Sequence, residues 1–258
     1  MRIINHILRH LPPGRRLIEP FVGGASIFLA SDYEEYLLGD SNHHLIEFYT
    51  AVANRIEEFM TLASPYFVDT FRNKERYIEV RNAFNHEREP LMRAAQFLYL
   101  NRFGFNGLCR YNQSGGFNVP YGKPSSVPPF PADRLRGFHN KASRASFICG
   151  DFAEVMQQAE PGDVIYCDPP YLPRDGAQPG FEGYTPAGFG LERQRELADL
   201  AKTLSRRGIP VLISNHDCEL AHQLYREANL VFFEARRSVS ANSSRRGNVR
   251  ELLAVFNG

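Results

Sequence analysis

Residues 164–171 read Val-Ile-Tyr-Cys-Asp-Pro-Pro-Tyr, an apolar run that ends in a carboxylate and then meets two prolines. A short run that is apolar throughout is what a strand covered on both faces of a parallel sheet requires. Neither proline has an N–H to donate, so helix and ladder pairing both stop at Asp168. The chain is thereby committed to a buried strand, Val164–Cys167, that delivers Asp168 to a sheet edge ahead of a rigid turn, Asp168-Pro169-Pro170-Tyr171. In open α/β sheets that edge is where ligands sit. A carboxylate, outward-facing carbonyls and one ring suit a planar nitrogen base, whose exocyclic amine donates while its ring stacks on tyrosine. Taken alone, the same four residues also make an ordinary strand-to-loop turn.

Strand–helix alternation on either side predicts a doubly wound, mostly parallel α/β sheet. Leu17-Ile18-Glu19-Pro20-Phe21 reads as a strand, and Val22-Gly23-Gly24-Ala25-Ser26 as the turn into a helix from Ile27. Small residues at such a turn let backbone approach a ligand, although neither a G-x-G-x-x-G nor a P-loop lysine is present. The next strand, Tyr36–Gly39, ends in Asp40, about 20 residues past the glycine turn, where ribose hydroxyls are held in such folds. Glycine turn and Asp40 together predict a nucleoside-containing cofactor with no requirement for phosphate; Asp40-Ser41-Asn42 is equally a helix N-cap. Later strands are expected at Ser146–Cys149, closing in Gly150-Asp151-Phe152, at Ile209–Ile213, at Val231–Glu234 and at Leu252–Phe256, with a helix over about 191–207. Leu172–Gly190 reads as a long loop beside the Asp168 turn, of the kind that is usually functional. Asp217 and His216 read as an N-cap for a helix from about Glu219 in preference to an acid/base pair.

Residues from about Ser64 to Asn140 break the alternation and read as an inserted, largely helical domain, 64–140, between catalytic segments 1–63 and 141–258. Net charge is only +1, but Arg72–Arg144 holds 13 Lys and Arg against 5 Asp and Glu, and the remainder holds 17 against 24. A basic block in an otherwise acidic chain is the footprint of a phosphate backbone. Within it lies Arg102-Phe103-Gly104-Phe105-Asn106-Gly107-Leu108-Cys109-Arg110-Tyr111-Asn112, then Phe117-Asn118-Val119-Pro120-Tyr121-Gly122-Lys123. Arginine pairs bidentately with guanine, asparagine with adenine, and a ring can wedge between base steps. A hairpin with aromatics in a small core accounts for part of the stretch but leaves its alternating Arg and Asn unexplained. Arg236, Arg237, Arg245, Arg246 and Arg250 form a second basic cluster, in a loop fit for phosphates.

Other classes are disfavoured. No apolar run approaches the roughly 18 residues of a membrane span, and Met1–His6 lacks the pattern of a secretory signal. Cys109, Cys149, Cys167 and Cys218 contain no C-x-x-C pair and read as reduced, buried thiols of a cytoplasmic protein. The eight histidines fail zinc spacing, so no metal is expected, and His43-His44 reads as capping or coating a helix start.

Glu19-Pro20-Phe21-Val22-Gly23-Gly24, the stretch Asn101–Asn112, Phe117-Asn118-Val119-Pro120, Asp168-Pro169-Pro170-Tyr171 and Ile213-Ser214-Asn215-His216-Asp217 occur in this order, followed by Arg236-Arg237-Ser238. Together they resemble the Dam-type (D12 class) DNA adenine-N6 methyltransferases over nearly the whole chain; Asn101–Asn112 is the most specific of them. The resemblance implies an S-adenosylmethionine-dependent methyltransferase fold with an inserted target-recognition domain, acting on the flipped-out adenine of GATC in duplex DNA. It implies that Glu19, Pro20, Phe21, Gly23 and Asp40 hold the methionine and ribose parts of S-adenosylmethionine. Asp151 and Phe152 then lie by its adenine, and Asp168 borders cofactor and substrate. Asp168, Pro169, Pro170 and Tyr171 become the catalytic set. Arg102, Phe105, Asn106, Leu108, Arg110, Asn112, Asn118, Pro120, Lys123, Arg236 and Arg237 become DNA contacts, with Phe105 as the wedge. A monomer without an obligate protein partner is expected, in the cytoplasm of a bacterium at the nucleoid, or phage-encoded. One departure stands out: the family's KWAGGK-like segment, which precedes the helix matching Ile4–Leu11, has no counterpart, and the chain has no Trp. This raises the alternative of a catalytically impaired GATC-binding protein.

Overall fold

The computed structural model describes residues 3–173, 189–236 and 248–257. Two compact units divide them: residues 3–41, 144–173, 189–236 and 248–257 in the first, and Asn42–Ser143 in the second.

The first unit is the expected doubly wound sheet. Its strands are β1 (Arg16–Glu19), β2 (Glu35–Asp40), β3 (Ala145–Cys149), β4 (Asp163–Cys167), β5 (Val211–His216), β6 (Asn229–Arg236) and β7 (Asn248–Phe256). Their order is β3-β2-β1-β4-β5-β7-β6. The first five are parallel, and β7 lies antiparallel between β5 and β6. Winding reverses between β1 and β4, so the crevice at their carboxyl ends is the topological switch point. The run that ends in Asp168 thus occupies the middle of the sheet, and all five residues of β4 are buried.

Alternation along the strands sends Ile18, Leu37, Ile165, Ile213 and Leu252 to one face. There they pack on α8 (Phe152–Met156), α9 (Leu191–Ser205) and α10 (Glu219–Leu224). Each such aliphatic side chain contributes about 1.5–3 kcal/mol on burial. On the other face Phe28 of α2 (Ser26–Ala30) meets Tyr36 edge-on at 4.8 Å. The short helix α1 (Ile3–Leu8) precedes β1. At the amino end of the central strands, Asp163 is 1% exposed and takes both Arg16 Nη2–H (2.6 Å) and Nε–H (3.2 Å).

The second unit comprises α3 (His43–Asn54), α4 (Ile56–Ala63), α5 (Lys74–Phe84), α6 (Pro90–Phe103) and α7 (Ala132–Ala142). Packing of α3 against α6 and α7 makes the compact unit begin at Asn42, about twenty residues before the break in alternation at Ser64. The strand–helix pattern marks α3 as the follower of β2, but its apolar face serves the helical core.

Three local expectations are corrected. Helix α10 has Cys218 as its N-cap, with no side-chain bond, so Asp217 does not cap it. Instead, β5 runs on through His216, and Asp217 accepts from His222 Nε2 (2.7 Å) and Arg250 Nε (3.2 Å). Arg250 is accordingly part of β7, its guanidinium 5.3 Å over the Phe232 ring, and does not belong to a phosphate loop. Cys167 and Cys218 are buried, but Cys149 is exposed. Among the described residues no helix is long and apolar enough to cross a membrane.

Candidate active site and nucleic-acid interface

The parallel strands bring Glu19, Asp40, Cys149 and Asp168 to one edge of the sheet, as their register shows: Glu19 faces Leu38, Asp40 faces Cys149, and Asp168 follows Cys167, which faces Ile213. Glu19 is 2% exposed at the end of β1. The glycine turn is tied to β2 by the Val22 N–H on Gly39 O (2.8 Å) and by the Gly23 N–H on Asp40 Oδ2 (3.1 Å). Gly23 has φ +44°, a left-handed conformation that explains glycine there. Asp40 O in turn accepts from Gly150 N (3.2 Å), which stitches the end of β3 to the same edge.

Beside this edge is an aromatic wall. Phe21 stacks on Phe152 with centroids 5.3 Å apart, and Phe189 meets each ring edge-on at 5.5 Å. Arg193 lies 4.4 Å over the Phe152 ring and pairs with Asp151 and Glu196. Asp151 also caps α8 through the Ala153 N–H (3.0 Å), so both its oxygens are engaged. Arg193 and Phe189 escaped the sequence reading; an arginine in the first turn of a helix, where the macrodipole favours acids, was the available signal.

Asp168 is exposed, Pro169 buried, and Pro170 and Tyr171 half-buried. The Tyr171 ring meets His216 edge-on at 5.0 Å. Burial and then the Asp168 carboxylate push the Tyr171 phenol far above its ordinary range. The Pro170 carbonyl accepts from Gln194 Nε2 (2.6 Å), and Leu172 donates its N–H to Asn215 Oδ1 (2.9 Å). The turn therefore presents a solvent-facing carboxylate on a backbone fixed from behind.

In the helical unit, residues 103–122 form an irregular antiparallel hairpin, with bridges Gly104–Tyr121 and Tyr111–Phe117. Period-2 alternation resolves its mixed composition. Phe117 and Val119 are buried in an aromatic core with Tyr77, Phe84, Tyr99 and Phe103. Arg110, Asn112 and Pro120 are exposed and Asn118 is half-exposed. Helix α5 grips the inner strand: Asn85 exchanges hydrogen bonds with Phe117 backbone (2.8 and 3.2 Å), while Tyr77 and Arg81 both donate to Val119 O (3.1 Å). Arg110 Nε and Nη2 donate to Asn118 Oδ1 (2.8 Å) and Asn118 O (3.0 Å), so its fork is held in one orientation. Asn112 Oδ1 closes the hairpin turn by accepting from Ser114 and Gly116 N–H (3.0 and 2.8 Å). Phe105 is 43% exposed, and its neighbour Asn106 is left-handed at φ 53°. Arg102 and Lys123 are exposed and Leu108 is half-buried. Arg236 ends β6, whereas Arg237, Arg245, Arg246 and residues 174–188 of the long loop lie outside the described residues.

The hairpin is anchored to α3. Asn42 caps that helix through its Oδ1, which also accepts from Tyr111 Oη (3.0 Å), and His44 Nδ1 lies 3.0 Å from the same hydroxyl. His44 is therefore neither cap nor coat. Burial first, then His43 and Arg93, lowers its pKa to about 3. The unfolded chain takes up this proton near pH 6.5 and the folded protein refuses it until about pH 3, so the stability from neutral His44 is full above pH 6.5 and lost as pH falls. From pH 7 to 5 the loss is about 2 kcal/mol. Urea unfolding at both pH values checks this: His44→Gln should narrow the difference by that amount, and an unchanged difference would refute the assignment.

With this geometry established, comparison with known proteins is decisive. The model of the D12 class N6 adenine-specific DNA methyltransferases matches residues 1–239. The chain belongs to that family. Relatives named DNA adenine methylase include those of Vibrio cholerae serotype O1 (47% identical, covering 98% of this chain and 91% of the relative) and Escherichia coli K12 (45%, 98% and 91%). That of Serratia marcescens is 45% identical, with 98% and 94% covered. This methyltransferase carries the Asp168 turn, the glycine turn and the Asn101–Asn112 stretch that its family resemblance rested on.

Proposed function

We infer that this methyltransferase transfers a methyl group from S-adenosylmethionine to N6 of adenine within GATC sites of duplex DNA. The observation that carries the reading is Asp168, exposed at the carboxyl edge of the sheet on a turn held from behind at Pro170 O and Leu172 N–H. An amine conjugated to a purine ring is a poor nucleophile. Donating one N–H to the Asp168 carboxylate and the other to a proline carbonyl localises its lone pair and aims it. The Pro170 carbonyl is taken by Gln194, so the carbonyl of Pro169 serves. The work is positioning and electrostatics, without a covalent intermediate; Cys167 is fully buried and is no nucleophile. Because the amine lies inside a duplex, the adenine must leave the stack, with Tyr171 against its face.

The donor set fits the cofactor: carboxylates at successive strand ends, a glycine turn open to close approach, and the Phe21–Phe152 wall. Glu19, Pro20, Phe21, Gly23 and Asp40 would hold its methionine and ribose, and Asp151 with Phe152 its adenine. When bound, S-adenosylmethionine supplies an electrophilic methyl on a sulfonium sulfur. Asn42–Ser143 is read as the target-recognition unit, with Arg110 on a guanine, Leu108, Asn118 and Pro120 beside it, Asn106 and Asn112 nearby, and Phe105 as a wedge. Arg102, Lys123, Arg236 and Arg237 suit phosphates. The enzyme is read as a cytoplasmic monomer.

Plasmid DNA treated with protein and cofactor, then cut with nucleases that read GATC methylation, tests this directly. Protection confined to GATC is expected; methylation at other sites would remove the GATC assignment. Arg110→Ala should lose about 1–3 kcal/mol of discrimination at one base pair in competition binding, and an unchanged preference would refute its role.

A further inference from the structure

Behind the Asp168 turn lies a closed ring of buried polar side chains. Gln194 of α9 is 1% exposed, and Asn215 of β5 and Tyr225 are 0% exposed. Gln194 occupies a position on the stripe that α9 buries with Leu197, Ala198, Ala201 and Leu204. Leucine there would fit the pattern, which makes the amide the informative exception. Asn215 Nδ2 donates to Gln194 Oε1 (3.3 Å) and to the Tyr225 hydroxyl (3.1 Å), and that hydroxyl donates to Gln194 Oε1 (3.2 Å).

The ring has a defined polarity because its outer partners are backbone groups of fixed sense. Asn215 Oδ1 accepts the N–H groups of Leu172 and His216, each at 2.9 Å, so its amide nitrogen must point inward. Gln194 Nε2 donates to the Pro170 carbonyl at 2.6 Å, so its oxygen must be the inner acceptor. Both amide groups are satisfied at oxygen and nitrogen alike. The His216 ring adds a second hold, its Nδ1 at 2.6 Å from Leu172 O. Tyr171 is thus bracketed on both sides, at the carbonyl before it and the N–H after it. The two prolines leave no other N–H between Asp168 and Tyr171 with which a neighbouring strand could fix the turn.

We propose that Gln194, Asn215 and Tyr225 are positioning residues of the methyl-transfer reaction, setting the backbone of Asp168–Leu172 from behind. For stability alone, apolar side chains of the same volume would serve as well, since a buried polar ring gains little over a packed core. What the ring supplies is direction: it holds the carbonyls and carboxylate of the turn to the angles at which an amine must meet them. The proposal rests on the reading of Asp168 as the group that meets the substrate amine.

The test compares wild type, Gln194→Met, Gln194→Glu and Tyr225→Phe in single-turnover methylation of a GATC duplex, alongside cofactor and duplex affinities. Displacing the turn by about 1 Å costs about 100-fold in rate, so Gln194→Met should lose about that in rate while both affinities stay within about threefold. Tyr225→Phe should lose about tenfold. Gln194→Glu carries the distinguishing signature. A protonated carboxyl can still donate to Pro170 O, and burial raises its pKa; its rate relative to wild type should therefore climb as pH falls from 8 to 6. Hydrogen exchange across residues 168–173 should accelerate in Gln194→Met. A flat pH ratio for Gln194→Glu, or affinities that fall in step with the rate, would overturn the proposal. Should Gln194→Met fail to fold, Tyr225→Phe and Gln194→Glu decide the matter. Wild-type protein that leaves the adenine unmethylated would instead remove the reading of Asp168 on which the proposal rests.

Discussion

Asp168→Ala is expected to lower the single-turnover methylation rate by at least about 10³-fold while leaving duplex binding near its wild-type level. Two losses combine in this substitution. The amine loses a charged acceptor, and with it the force that localises its lone pair. It also loses one of two contacts that fix its direction of approach. Asp168 is exposed, and its backbone is held through Cys167 in the sheet and through the bonds to Pro170 and Leu172, none of which involves its carboxylate. The fold should therefore survive, and the effect should appear in kcat. Transfer of label from S-adenosylmethionine to a duplex, read beside an electrophoretic binding titration, checks it. Turnover within tenfold of wild type would remove Asp168 from its role.

The largest effect on stability is expected at the opposite edge of the same strand. Asp163 has a fully buried side chain that takes two N–H groups of Arg16, with the Glu160 N–H at 2.8 Å on the same oxygen as Arg16 Nη2. Arg16 is itself largely covered, and the pairing with Asp163 raises its pKa despite burial. Asp163→Ala leaves that guanidinium charged without its principal partner and should cost about 3–5 kcal/mol. Urea unfolding should show a lower midpoint with an unchanged slope. The rate per folded molecule should stay near wild type, because the carboxyl ends of the strands are untouched. A shift below about 1 kcal/mol would mean that solvent replaces the carboxylate at Arg16.

These two aspartates bracket one strand and show how far a sequence can be read. A run of apolar residues that ends in an acid announces a buried parallel strand, and the prolines announce where it ends. The acid at the carboxyl end reads as a site because the fold class assigns ligands to that edge. Asp40 reads the same way, as the acid after the second strand, and the structure sets it at that edge, accepting the Gly23 N–H. The hairpin was half legible. Its rings and its arginine and asparagine residues could be ascribed either to a small core or to a DNA surface; the structure buries Phe117 and Val119 in an aromatic core and leaves Arg110, Asn112 and Pro120 exposed on the other side of the same alternation. Asp217, taken for a helix cap, lies one residue too early, because β5 continues through Asn215 and His216. His44 read as a surface histidine because nothing local shows that Tyr111 reaches it.

Local order along the chain therefore determined what period and composition carry: the doubly wound sheet, the rigid Asp168 turn, the basic helical insert and, through its ordered motifs, the family. Only the tertiary structure decided how that turn is held, where the helical unit begins and which face Arg110 presents. The pairings responsible join residues such as Gln194 and Pro170, or Arg16 and Asp163, that are 24 and 147 positions apart. Periodicity reports which face of an element is buried; it is silent on which distant polar group meets it there, and that meeting depends on closing the sheet.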